Sequence, residues 1–340
     1  MHINEFKELS VNRIELLAHV SHLYYEMNLD QKAIAKQIGR SPSMVSRMLR
    51  EARDSGIVDV RVHYPLPTDP DLQSELVARF GLRQALVLST PEVPNDARNK
   101  RLGQLGATCL EEYIRPKVRI GIGWGTSIYR VVQQLAFQPL SDGMVVQLIG
   151  SIGSGDPTVD GSEMAQTLAR KLGVAARSLH APLIVPSIAT AEDLLSDSVT
   201  RETIELGASV TVALLGVGTA EPEVSGLVRA GYAKKSDLED LRTYGAVGDI
   251  AGYHIDIHGK VLDVEMNRRI IGIGVEALRG IEDVIVVGGG AAKVKPLLAG
   301  LLGKFFNVLV TDSETAEQVL ELAHELGVLG DTRESRLDKE

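Results

Sequence analysis

Residues 11–27, VNRIELLAHVSHLYYEM, place Ile14, Leu17, Val20 and Tyr24 at helical spacing, so this stretch predicts a helix with one apolar face. Asn28, Leu29 and Asp30 break the pattern, and Asp30 stands where its carboxylate can cap a second helix, QKAIAKQI. Gly39 suits the left-handed residue that ends such a helix. Ser41 can cap a third helix whose first position is Pro42, where a missing N–H costs nothing. Ile34, Ile38, Val45, Met48 and Leu49 supply packing between the last two helices, and Ala35 is small where they cross. The run IVDVRVHY that follows predicts a strand.

YPLPTDPDL, residues 64–72, has three prolines and marks a boundary, dividing the chain into domains over 1–64 and 65–340. Beyond it LQSELVARFGL predicts a helix closed by Gly81, and QALVLST a strand. Apolar runs then alternate with helical segments: KVRIGIG with SIYRVVQQLA, MVVQLIG with GSEMAQTLARKLG, RSLHAPLIV with SVTRETIELG. TVALLGVG, DVIVVGGG and NVLVTD are further short apolar runs of the kind buried in parallel sheets. The fold class expected is therefore α/β, with helices on both faces of one sheet. Glycines cluster at the predicted strand ends, at Gly121, Gly123 and Gly125, Gly150 and Gly153, Gly216 and Gly218, and Gly288 to Gly290. Ligands bind beyond the carboxyl ends of such strands, so these four loops are expected to converge on one pocket. The tail DTRESRLDKE is polar enough to be loose.

Composition narrows the function classes. The 340 residues are 44% hydrophobic and 24% charged, ordinary for a globular protein with a sizeable core. No apolar stretch approaches the roughly 20 residues that span a bilayer, and MHINEFKELS lacks a signal peptide's apolar core. A single cysteine, Cys109, fits a reducing compartment, and its apolar neighbours favour a buried thiol over a reactive one. A cytoplasmic location with no membrane partner is expected.

The net charge of -9 argues against a polyanion partner, but its distribution does not. Residues 1–64 carry nine Lys/Arg against eight Asp/Glu, so the acidic excess lies wholly beyond them. Within 40–53, Arg40, Arg47, Arg50 and Arg53 face one acid, Glu51. Helix, glycine-centred turn and helix make a helix-turn-helix pattern, and the strand after it suits a winged variant. Ser43, Met44, Ser46, Arg47 and Arg50 remain for the outer face of the third helix. Ser43 and Arg47, one turn apart, lie where a recognition helix meets base edges. Arg40, Ser41 and Arg53 are better placed for phosphates, and Gln31 joins this DNA-facing set at the start of the second helix. The rival reading is a helical hairpin whose basic face is merely solvated.

RIGIGWGTSIYRV, residues 119–131, resembles a phosphate cradle. A dinucleotide fingerprint would need glycine at Thr126 or at Ile128, and no acid ends the next strand. A P-loop would need Gly-Lys-Ser/Thr, which is absent after these glycines, so no nucleotide cofactor is expected. What remains is Gly125 before Thr126 and Ser127 at a helix start, whose N–H groups and hydroxyls suit a phosphomonoester or carboxylate. The alternative is a tight turn with Thr126 as a plain cap. Lys293 could bring a cation to the same pocket or be solvated, and Asp249 could bind sugar hydroxyls or form a turn. His254, Asp256 and His258 alternate along one predicted strand, which suggests a metal site less than a structural hairpin beside the HGK turn. Asn267 and Arg268 could reach a phosphate, or Arg268 could sit as a charge at a strand edge.

IAKQIGRSPSMVSRMLREARDSGIVDVRV, IGIGWGTSIYRVV, ALLGVG, GAVGDIAG and VVGGGAAK, in this order, resemble the SorC family of bacterial sugar-responsive transcriptional regulators. The likeness covers essentially the whole chain. It implies a helix-turn-helix domain joined to a larger α/β effector domain similar to ribose-5-phosphate isomerase and glucosamine-phosphate deaminase. It implies operator DNA and a sugar or sugar phosphate as partners, binding without turnover, and a homo-oligomer, dimer or tetramer. Carried over by motif, the effector site comprises Gly123, Gly125, Thr126 and Ser127, then Gly150 and Ser151, then Gly216 and Gly218. Asp249 would contact hydroxyls, Lys293 the phosphate or ring, and Glu265 a further hydroxyl. The loop GSIGSGDP carries serines where relatives often have asparagine or more glycines. The rival function is a sugar-phosphate isomerase or deaminase fused to a DNA-binding module. That chemistry needs a positioned acid/base pair, and Asp249 and Glu265 form no distinctive one in the sequence.

Overall fold

The computed structural model of the protein describes residues 11–55, 57–58, 66–89, 95–151 and 160–328. It divides into two compact units, Met1–Tyr64 and Pro65–Glu340. Most of the predicted strand over 57–64, and the tail, lie outside the described residues.

The first unit holds α1 (Val11–Tyr25), α2 (Gln31–Ile38) and α3 (Pro42–Asp54). Its boundaries follow local chemistry. The Asp30 carboxylate accepts the Ala33 N–H at 2.7 Å, and Gly39 ends α2 in the left-handed region at φ 65°. Ser41 Oγ accepts the Met44 N–H at 3.3 Å, with Pro42 in the first turn of α3. Ile34, Ala35, Val45, Met48, Leu49 and Ala52 are buried against Leu17 and Val20 of α1. The inward face of α1 also takes Leu23, while Ile14 and Tyr24 are only half-buried. Arg13 Nε donates to Glu51 at 3.0 Å, tying α1 to α3.

The second unit opens with α4 (Pro70–Phe80), β1 (Gln84–Leu88), α5 (Asn95–Glu111), β2 (Val118–Ile122) and α6 (Thr126–Gln134). It continues with β3 (Gly143–Gln147), α7 (Gly161–Leu172), β4 (Ala175–Arg177), α8 (Ile188–Ser196) and α9 (Ser198–Ala208). Next come β5 (Val212–Leu215), β6 (Val217–Thr219), α10 (Gly226–Arg229), α11 (Lys235–Thr243), β7 (Gly248–Ile250) and β8 (Tyr253–Ile255). The last elements are α12 (Glu265–Arg268), α13 (Val275–Arg279), β9 (Asp283–Val287), α14 (Val294–Leu302), β10 (Val308–Asp312) and α15 (Ser313–Glu325).

Seven strands form a parallel sheet in the order β1-β10-β9-β5-β2-β3-β4, and β6-β7-β8 form a separate antiparallel sheet. Every residue of β5, β9 and β10 is buried, which is why these runs read as continuously apolar. Alternate side chains still divide between two cores. Ile120, Ile122, Val212, Leu214, Ile285 and Val287 enter one with α5, α6 and α7. Ala213, Leu215, Val284 and Val286 enter the other with α4, α14 and α15. Winding reverses at the centre: the chain leaves β2 toward β3 and β4, then returns to place β5 on the other side of β2. The crevice between the ends of β2 and β5 is thus a switch point, where open parallel sheets hold ligands.

Two predicted strands come out differently. TVALLGVG, expected as one, is split by Gly216 into β5 and β6, which belong to different sheets. RSLHAPLIV is a strand only through Arg177; Leu179, Ala181 and Leu183 are buried in irregular backbone. Pro182 and Pro186 cannot donate to a ladder there, and single bridges join Pro182 to Ser151 and Ile184 to Ile270.

Candidate ligand-binding site

The turn after β2 builds one wall of the site. Gly125 takes φ 128° and ψ 161°, a region open essentially to glycine alone, and starts α6 with no side-chain cap. Thr126 is therefore the first helical residue rather than the cap, and no acid lies in this first turn. The leading N–H groups of α6 are left to an anion. Beside them is a cavity of about 170 Å³, below the ~300–1,000 Å³ of drug-sized pockets, so it suits a monosaccharide-sized ligand better than a nucleotide.

Gly123, Gly125, Thr126, Ser127, Gly216, Gly218, Asp249 and Lys293, the residues carried over from the family motifs, all line this cavity. Their approach is close: a Cβ on Gly218 would lie 1.7 Å from Asp249 Oδ2, so only glycine leaves room for that carboxylate. Three predicted residues do not join them. Gly150 packs instead, since a Cβ there would lie 2.4 Å from the Pro182 carbonyl carbon and oxygen. Ser151 Oγ accepts from Gln147 Nε2 at 2.7 Å, and its carbonyl accepts from the Tyr232 hydroxyl. Glu265 is exposed on α12 and pairs with Arg269 at 3.6 Å. The structure corrects its placement, because α12 presents Met266 and Asn267 inward and leaves Glu265 in solvent. Gly153 lies outside the described residues. Gly288, Gly289 and Gly290 after β9 do not line the cavity either, and Gly289 serves packing, since a Cβ there would lie 2.1 Å from Asp312 Oδ2.

Among the lining residues that the sequence reading did not assign to the site, two carry polar groups that bear on its chemistry. Arg229, on the four-residue α10, donates from Nη2 to Thr126 Oγ1 at 3.0 Å and sets a second cation at the mouth. Trp124 lines the wall with its Nε1 buried and unpartnered among the described residues. Nothing in the periodicity around Arg229 marks it, since it reaches Thr126 from 103 residues away.

The charges inside are few and strongly placed. Asp249 is buried, and loss of solvent pushes its pKa up, opposed by His254, Lys293 and the Gly252 N–H. Lys293 donates from Nζ to the Val217 carbonyl at 2.7 Å. Desolvation pushes its pKa down against the pull of Asp249. Cations, a bare helix end and one carboxylate can hold an anionic group at one side and hydroxyls at the other. His254 is buried, while Asp256 turns to accept the N–H groups of His258 and Lys260 at 3.0 and 2.9 Å. The three do not share a face, and among the described residues no His/Cys/Asp/Glu group could hold a metal ion. Asn267 and Arg268 also stay outside the cavity, Asn267 buried beside His254 and Arg268 paired with Asp263 at 2.7 Å.

The first unit offers a different surface. Arg40, Ser41, Ser43, Met44, Arg47, Arg50 and Arg53 are exposed, while Gln31 and Ser46 are half-buried. Glu51, the acid within 40–53, is occupied by Arg13. Ser41 and Ser43 lie 3.0 Å apart through their hydroxyls, with Ser41 also serving as the α3 cap. Among the described residues no helix is long and apolar enough to cross a membrane.

A mostly parallel α/β sheet with a small-molecule cavity at its switch point, joined to a basic three-helix unit, defines a ligand-binding regulator. Residues 65–321 match the family described as "Putative sugar-binding domain". The chain is 30% identical to the "Deoxyribonucleoside regulator" of Bacillus subtilis, over 90% of this chain and 97% of that one. It is 30% identical to "Transcriptional regulator LsrR" of Klebsiella pneumoniae, over 94% and 97% of the two chains. The full-length sorbitol operon regulator SorC of Klebsiella pneumoniae has a similar solved structure, with TM-score 0.68, 25% identity, and 91% and 99% of the two chains covered. The chain belongs to the SorC family of transcriptional regulators with a sugar-binding domain.

Proposed function

We propose that the protein binds operator DNA through a helix-turn-helix in residues 1–64 and a sugar or sugar-phosphate effector in residues 65–340. The observation that carries the effector half is the uncapped start of α6, with Thr126 and Ser127 facing Arg229 and Lys293 across one small cavity. The larger domain then has the ribose-5-phosphate isomerase and glucosamine-phosphate deaminase type of architecture, used to sense rather than convert. In the DNA half, Ser43, Met44 and Arg47 enter the major groove from α3. Arg40, Ser41, Arg50 and Arg53, with Gln31 and Ser46 alongside, position the backbone. Useful operator affinity requires pairing of two such helices, so the working form is a homo-oligomer, dimer or tetramer, in the cytoplasm. The effector acts by binding one arrangement of the oligomer more tightly than another.

The isomerase or deaminase alternative is disfavoured because Glu265, one of its two candidate acid/base residues, stands in solvent outside the cavity. A thermal-shift screen against sugars, polyols and their phosphates tests the effector half by linkage. Stabilisation by phosphorylated ligands without turnover, followed by NMR, is expected; conversion at catalytic protein levels would overturn it. For the DNA half, Arg47→Ala should weaken binding to the protein's own promoter DNA by about 1–3 kcal/mol. Unchanged fluorescence anisotropy titrations would sink the assignment of α3 to the major groove.

A further inference from the structure

Tyr232 ties the segment that carries Arg229 to backbone beside the cavity. Its hydroxyl accepts the Leu183 N–H at 2.9 Å and donates to the Ser151 carbonyl. The polarity of this pair is fixed. The amide brings its own hydrogen and the carbonyl has none, so the single phenolic hydrogen goes to Ser151. None of the three residues lines the cavity.

The anchor is held from several sides. The Gly150 N–H donates to the Ile271 carbonyl at 2.9 Å, and the Ser151 N–H donates to the Ala181 carbonyl at 2.8 Å. The Ser151 hydroxyl accepts from Gln147, and Gly150 lies against Pro182 backbone. Gly150 and Ser151 thus make a fixed point at the end of β3.

The segment on the other side of the bond is small. Within α10 the Arg229 N–H donates to the Ser225 carbonyl at 3.2 Å. Gly231 then turns the chain at φ 78°, and the Tyr232 N–H returns to the Leu227 carbonyl at 2.9 Å. Arg229 and Tyr232 therefore belong to one closed turn around the buried Leu227. Its start lies against the cavity wall, since a Cβ on Gly226 would lie 3.6 Å from Trp124 Cζ3. Arg229 is exposed, hydrogen-bonds Thr126, and pairs with no acid among the described residues. An exposed arginine with one hydrogen bond has many rotamers to lose on meeting an anion, so the backbone beneath it sets how well its charge is aimed.

We propose that Tyr232 is a positioning residue for Arg229: its hydroxyl, held between Ser151 and Leu183, fixes the α10 turn so that the guanidinium stands over Thr126 at the open start of α6. Gly150 and Ser151, which do not line the cavity, serve it through this bond. The inference deepens the reading of the cavity as the effector site and, for its ligand consequence, rests on it. Tyr232→Phe keeps the ring, and the Leu183 N–H keeps an acceptor in the Ser151 carbonyl at 3.3 Å. The substitution therefore removes the tie without leaving that buried donor unpaired.

The test uses the full-length protein with Tyr232→Phe, Arg229→Ala, and the two combined. Trp124 is the sole tryptophan, so its emission reports on the α10 turn in protein free of ligand. Acrylamide quenching of that emission should rise about twofold in Tyr232→Phe as the loosened turn uncovers the indole. Quenching equal to that of the wild type overturns the proposal. The ligand arm uses calorimetry with ribose 5-phosphate, glucose 6-phosphate and fructose 6-phosphate as probes. Tyr232→Phe and Arg229→Ala should each bind a phosphosugar about fivefold more weakly than the wild type, and the combined variant no more weakly than Arg229→Ala alone. Undiminished affinity in Tyr232→Phe, or losses that multiply in the combined variant, overturns the positioning role, because a purely structural tyrosine acts equally with or without the guanidinium. Failure of every probe to bind the wild-type chain counts against the effector reading alone, because the quenching decides the tie independently.

Discussion

The turns after β2 and β3 look alike in the chain: each follows a buried parallel strand, and each carries glycine and serine. They do opposite things. At Gly125 a Cβ would meet nothing within 4 Å, so glycine is there for its backbone angle and for an open helix start. At Gly150 the same Cβ would strike Pro182 backbone, so glycine is there because two segments touch. A glycine at a strand end therefore signals either a ligand or a packing contact, and the space around it decides which.

Substitutions can break this contrast. Gly150→Ala has the largest expected effect, because the obstacle is backbone: a stability loss of about 3 kcal/mol in chemical denaturation. A loss of under about 1 kcal/mol would remove the packing role. Replacing Thr126 and Ser127 together by Ala should leave stability nearly unchanged. It should cost a phosphorylated effector about 2 kcal/mol of affinity, read by calorimetry. If phosphate ligands bind the double variant as before, the anion site is elsewhere. Arg229→Ala removes an exposed cation and should cost the same ligands about 1 kcal/mol, with sensitivity to salt falling in parallel.

The apolar layer beneath the first turn supplies a contrast of smallest effect. Burial pushes the Cys109 thiol up to about 12 from 9.0, so it should resist alkylation at neutral pH until the chain unfolds. The folded state holds that proton more tightly than the unfolded state. Its contribution to stability is complete below about pH 9 and is lost as the pH rises toward 12. Rapid labelling of native protein at neutral pH would contradict the burial.

Much of the fold was legible where a local rule acts alone. Asp30, Gly39, Ser41 and Pro42 mark the ends of α2 and α3 because a cap needs only its own helix. The fingerprints fail at Thr126 and Ile128 on residue identity alone, which needs no tertiary contact to read. The misses come from long-range events. TVALLGVG looks like one strand because both halves are apolar, yet they enter different sheets. Glu265 sits in a sequence of suitable polarity, but α12 turns it outward. His254 was grouped with Asp256 and His258 by alternation, while β8 ends at Ile255 and the next residues turn.

By itself the sequence determined the ends of α2 and α3, the buried parallel strands and the basic outer face of α3, and it left open whether Thr126 caps α6. Each of these depends on residues within a turn or two of one another. Only the tertiary structure decided which glycine loops meet, that Arg229 faces Thr126, and that Tyr232 reaches Ser151. Those contacts join segments far apart in the chain, and their geometry follows from strand order and register, which local patterning does not encode.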